Sequence, residues 1–148
     1  MVGLALAGFL LAACGGSGGG APSEADFRRE ANAVCRSTRS AIAHLPKADA
    51  ENPTALVNAG KRALAKEREA VRELAGLHAP TTVERSVLRW LRLVGRALDS
   101  VDASLRAQGH GDLAAASRAN AEGSRLVTAA DAAARGLRVS ECATPAPK

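Results

Sequence analysis

VERSVLRWLRLVGRALDSVDASLRAQG, residues 83–109, decides the architecture because it carries two helical patterns at once. Val83, Val87, Trp90, Leu91, Val94, Leu98, Val101 and Leu105 recur at steps of three and four. On a helix they fall within an arc of about 100°, a stripe that must be covered by apolar neighbours. Arg85, Arg89, Arg92 and Arg96 follow the spacing i, i+4, i+7 and i+11 on the opposite side, which makes a line of cations along the solvent face. Thr81 with Glu84 has the form of a capping box ahead of this helix, and Gly109 marks its end.

Three similar stretches flank it. Upstream, Ser23 stands where a cap is needed, with Glu24 and Asp26 placed well against the helix dipole. The stripe Phe27, Ala31, Val34, Cys35, Thr38, Ala41, Ile42 and Leu45 then runs to the breaker Pro46. Asn52-Pro53 opens a second helix that extends to about Leu77, with Leu56, Val57, Leu64, Val71 and Leu74 on one face. Glu67 projects near the middle of that face, where a carboxylate is costly to bury unless paired. Downstream, Asp112 caps a fourth helix whose stripe is Leu113, Ala116, Ala119, Asn120, Gly123, Leu126, Val127, Ala130, Ala134 and Leu137. Its small residues permit close approach of a neighbouring axis. Four amphipathic helices with short connections predict an all-α protein, a four-helix up-and-down bundle over residues 24–142.

Composition agrees. The chain has no Tyr, two Phe and one Trp among 148 residues, so the core is aliphatic. The formal charge is +5, with Arg well ahead of Lys. That balance suits an anionic lipid surface or an envelope polyanion. Nucleic acid is disfavoured, since no exposed aromatics alternate with the arginines and no nucleic-acid motif is present.

The residues that carry chemistry are scattered. His44, His78 and His110 each stand alone at a predicted helix end, without a second ligand at metal-site spacing. His44 and His110 share one end of the expected bundle and His78 lies at the other. No Gly-x-Ser-x-Gly frame occurs, and Glu69 with Glu73 lies on a polar face beside Lys66 and Arg72. No catalytic residue, metal site or cofactor is therefore assigned. The one interior ligand site that the pattern allows is formed by Glu67, Trp90 and Asn120, the polar groups of three apolar stripes. The simpler reading makes Glu67 an ion-pair partner and Asn120 a satisfied core amide.

The beginning of the chain bears on location. Val2–Ala13 is apolar but as a helix spans only about 18 Å, short of a hydrocarbon core of about 30 Å. It closes on Leu11-Ala12-Ala13-Cys14, which resembles the lipobox of bacterial lipoproteins, although only Met1 stands where such leaders carry positive charge. The resemblance implies that residues 1–13 are a signal peptide and that Cys14 is acylated, by palmitate or a similar chain, to become the first mature residue. Residues 14–23 then form the anchor and a Gly/Ser tether, for which flexible-chain scaling gives roughly 17 Å. The Ala/Arg-rich remainder, roughly 120 residues and hence one domain, is similar to small lipoproteins of high-GC, actinobacterial-type genomes.

With Cys14 acylated, Cys35 and Cys142 are left as an even pair in an exported protein, which implies a disulfide. The topology permits it, because residues 138–142, extended, cover about 16 Å and can climb from the end of helix four to Cys35. Residues 143–148 read as a disordered tail. The expected protein is a membrane-anchored, extracytoplasmic binding module, its partners the membrane itself and an envelope protein or polyanion. A carrier with a ligand inside the bundle is the alternative.

Overall fold

The computed structural model describes residues 22–144. The leader 1–13, Cys14, the tether up to residue 21 and residues 145–148 lie outside the described residues. Four helices follow one another, α1 (Glu24–Ala43), α2 (Pro53–Gly76), α3 (Glu84–Gly109) and α4 (Leu113–Leu137), and a 3-10 turn at Ser140–Cys142 comes last. The all-α four-helix bundle is as the periodicity predicts.

Three of the helix starts form as their sequences dictate. Ser23 Oγ accepts from the Asp26 N–H at 3.1 Å and donates to Asp26 Oδ2 at 2.6 Å. Hydrogen bonds from Ser23 and Arg29 hold the Asp26 carboxyl below the usual carboxylate range. Asn52 Oδ1 accepts from Ala55 N–H at 3.0 Å, and Asp112 Oδ1 from Ala115 N–H at 2.8 Å. The start of α3 corrects the capping-box expectation. No side chain caps it; the Pro80 carbonyl takes the N–H groups of Val83 and Glu84 at 3.0 and 2.9 Å. Thr82 is turned away to donate to Glu24 Oε1 at 2.8 Å, tying this corner to α1.

α3 lies between α2 and α4, and its contact with α4 is the most extensive in the molecule. The reason is side-chain size. A Cβ added at Gly123 of α4 would stand 3.4 Å from Ser100 Cβ, so the two backbones approach as closely as small residues allow. On the other side, the Leu105 side chain fills the space that a Cβ at Gly60 of α2 would need. The core gathers around Trp90, which is 1% exposed, with Phe27, Ala31, Val34, Leu74, Val87, Ala134, Leu137 and Val139 about it. The Trp90 Nε1–H is buried without an acceptor among the described residues. Such a group costs about 1–3 kcal/mol, which burial of so large an apolar ring outweighs.

α1 is fastened differently. Its close neighbours are α2 and the C-terminal turn, and the turn fills the seam towards α4. At the foot, Arg28 Nε donates to the Leu137 carbonyl at 3.0 Å. Arg138 then adopts φ 60°, the left-handed conformation, and sends the chain back along α1. Asn32 Oδ1 accepts from Glu141 N–H at 3.0 Å, Cys35 bonds to Cys142 with S–S 2.00 Å, and Arg39 holds the Glu141 carboxylate at 3.1 Å and its carbonyl. The predicted Cys35–Cys142 staple is present. The disordered tail is corrected at its first two positions, because Ala143 is buried and Thr144 N–H donates to Asp131 Oδ1 at 3.0 Å.

The predicted stripes overstate burial at the opposite end, where the 44–52 and 110–112 loops lie. α1 has 20 residues against 24, 26 and 25 in the others, and buries nothing beyond Val34. Ala41 is exposed, and Ile42 and Leu45 are half-buried. Without that cover Leu56, Val101 and Leu113 stand 46%, 37% and 73% exposed although each belongs to an apolar stripe.

Two substitutions test this account. Replacing both Cys35 and Cys142 by Ser releases a link between residues 107 apart in sequence, and urea unfolding should show a loss of about 2–5 kcal/mol. Arg138→Gly relieves the left-handed penalty and should raise stability by about 1 kcal/mol in the same assay.

Candidate interaction surface

The arginine line is present as an exposed row on α3. Arg85, Arg89, Arg92 and Arg96 are all exposed, and at the helical rise they extend over about 16 Å. They are not equivalent. Arg96 reaches across to Glu122 of α4 at 3.5 Å, whereas Arg85, Arg89 and Arg92 take part in no ion pair among the described residues. Elsewhere some cations, among them Arg36, Arg62, Arg118 and Arg135, are likewise in no ion pair among the described residues, and others are matched locally. Arg68 of α2 bridges Asp99 and Asp102 of α3 at 3.2 and 3.4 Å, and Lys66 pairs with Glu69 at 2.9 Å. That lysine holds the Glu69 carboxyl below its usual range.

Beside the foot of the row, Leu88 is 54% exposed, the second-largest exposure among the large apolar side chains of the core elements. It forms one wall of a cavity of about 220 Å³ between the end of α2 and the start of α3, lined also by Leu74, Leu77, His78, Glu84, Val87 and Leu91. A more open depression of about 370 Å³ lies between α3 and α4 under the Arg96–Glu122 pair. Leu88 lies outside the apolar arc of α3, and its place between Arg85 and Arg92 is its one signal in the sequence.

The interior triad does not assemble. Trp90 is fully buried in the core, Glu67 is half-buried between α1 and α2, and Asn120 is exposed on α4. Asn120 is thus neither a core amide nor a cavity-lining group. It lies level with the part of the bundle that α1 fails to cover, so a position inside the stripe faces solvent. Glu67 keeps its inward direction. Burial pushes its carboxyl above the usual range, and the Arg39 guanidinium draws it part of the way back.

His44 bonds through Nδ1 to the Ser40 carbonyl at 2.7 Å, and His78 and His110 are exposed. Among the described residues no three His, Cys, Asp or Glu side chains gather as a metal site, and no helix is long and apolar enough to cross a membrane. The class defined so far is a disulfide-closed four-helix bundle with one cationic, partly apolar face. No family model matches this chain, and neither a curated protein nor a solved structure matches it significantly.

The raised Glu67 carboxyl sets a pH dependence. A group that prefers to be protonated when folded supports the fold below its ordinary pKa and loses that support as pH rises through the raised value. Glu67→Gln should therefore melt above the wild type at neutral pH, and the two melting curves should converge at about pH 3.

Proposed function

We propose that the chain is a lipid-anchored module of the outer face of a bacterial cytoplasmic membrane, working by binding rather than by catalysis. The observation that carries this reading is the Cys35–Cys142 bridge. Protein disulfides persist in oxidising compartments and are rare in the cytosol. The bridge also leaves Cys14 as the one cysteine without a partner, at the lipobox-like position after Leu11-Ala12-Ala13.

Anchored there, the domain starts at Ser23, so the end that holds Phe27, Trp90 and the 77–83 connection is the one joined to the anchor. The 44–52 and 110–112 loops, with Leu56 and Leu113 exposed beside them, lie at the opposite end as contact points for another envelope protein. A ligand site inside the bundle has no observation in its favour, since Glu67, Trp90 and Asn120 do not converge. Growth of a bacterium expressing the chain with a clickable palmitate analogue should label the wild type and not Cys14→Ala. Equal labelling of the two would overturn the anchor.

A further inference from the structure

We propose that the outer face of α3, made by Arg85, Leu88, Arg89 and Arg92, docks on the anionic headgroups of a phospholipid bilayer, so that the tethered bundle lies on its side. The inference rests on the membrane-anchored reading for its proximity to a bilayer, and on the structure for its chemistry. Three exposed guanidiniums follow one another along a single helix face with no ion-pair partner among the described residues, whereas the other unpaired arginines, Arg36, Arg62, Arg72, Arg118, Arg135 and Arg138, are divided among α1, α2, α4 and the end of α4. Guanidinium matches phosphate oxygens in a two-pronged geometry, which suits a headgroup layer.

The apolar component chooses between a bilayer and a soluble polyanion. Leu88 projects from among these arginines at 54% exposure, one turn from Arg85 and one from Arg92, with the cavity of Leu74, Leu77, Val87 and Leu91 behind it. A polyanion has no use for an exposed leucine. An interfacial helix does, because it buries an apolar side chain to a depth of about 5–10 Å while its cations meet the phosphates. One carboxylate, Glu84 at the start of α3, lines the same cavity.

Orientation follows from the length of the row. Surface charge is screened within about 8 Å at physiological salt. An upright bundle, standing on its 77–83 end, brings only Arg85 and Arg89 into that layer, since Arg92 stands about 10 Å beyond Arg85 along the axis. Laid on α3, the bundle brings in all three free arginines together with Leu88.

The test uses residues 14–148, which span every described element, coupled through Cys14 to a maleimide lipid in supported bilayers. Cys35 and Cys142 are bonded to each other, so Cys14 is the thiol that reacts. This coupling makes the result independent of whether cells acylate Cys14, and failure of the anchor reading would show in the labelling experiment instead. Neutron reflectometry should find a protein layer of about 20 Å on a bilayer rich in phosphatidylglycerol, against about 40 Å, the length of α3, on phosphatidylcholine. High salt should restore the thick layer.

Arg85→Gln, Arg89→Gln and Arg92→Gln together should stand upright on both bilayers, as should Leu88→Ser in part. A charge-matched triple at Arg36 of α1, Arg62 of α2 and Arg135 of α4, all exposed and none on α3, should still lie down. In uncoupled form, each arginine removed from the α3 face should weaken vesicle partitioning about five-fold. Equal thickness on both lipids overturns the proposal, as does a flat layer that survives the first triple. Arginine-dependent binding of dextran sulfate without any flat layer would do the same and assign the face to a polyanion.

Discussion

A helix of 20 residues cannot cover neighbours of 24 to 26, and what fastens α1 to the bundle is largely the segment that follows α4. The chain from Leu137 onward runs back along α1 and offers it backbone groups in sequence. Arg28, Asn32 and Arg39 each take one, and Cys35 adds a covalent bond. These positions fall on one line of α1, adjacent to the line of Phe27, Ala31 and Val34 that enters the core. One face of the helix is thus packed and the next is stitched.

This arrangement divides the molecule lengthwise. At the Phe27 end, Trp90 is enclosed by all four helices and by Val139 and Ala143 of the returning segment. At the other end α2, α3 and α4 form a three-helix structure with a partly open side, where Val101 and Asn120 are exposed. Asn120, a polar position inside a predicted stripe, stands where the fourth wall is missing, so water stabilises what an apolar interior would not. Glu67 is the contrary case, a carboxyl that α1 does cover and whose burial raises it.

Much of this was legible beforehand. Helix boundaries followed from Ser23, Asn52-Pro53, Asp112 and the breakers Pro46 and Pro80, because capping and proline chemistry are local. The disulfide was legible because the lipobox resemblance sets Cys14 aside and chain reach allows the remaining two cysteines to meet. What periodicity could not supply was the extent of coverage. Val101 and Asn120 fit their stripes by angle, but an angle says only which way a side chain points and not whether another helix extends that far. The capping role of Thr81 failed for a related reason: the Pro80 carbonyl and the Thr82 bond to Glu24 compete for that turn, and the second is a tertiary contact no local pattern contains. Leu88 was passed over because it sits on the wrong side of α3 for a core residue.

The sulfur bridge also determines how the chain bears tension. Residues 36–141, which hold most of α1's second half and all of α2, α3 and α4, lie inside one covalent loop. A pull applied between the two ends of the chain therefore travels from Ser23 through the first turns of α1 to Cys35, across the sulfurs to Cys142, and out. None of the looped helices is stretched along that path. The looped helices and the arginine face of α3 are thus mechanically sheltered, whereas Phe27 and Ala31, which precede the bridge, form the side of the Trp90 core that such a load would peel away first.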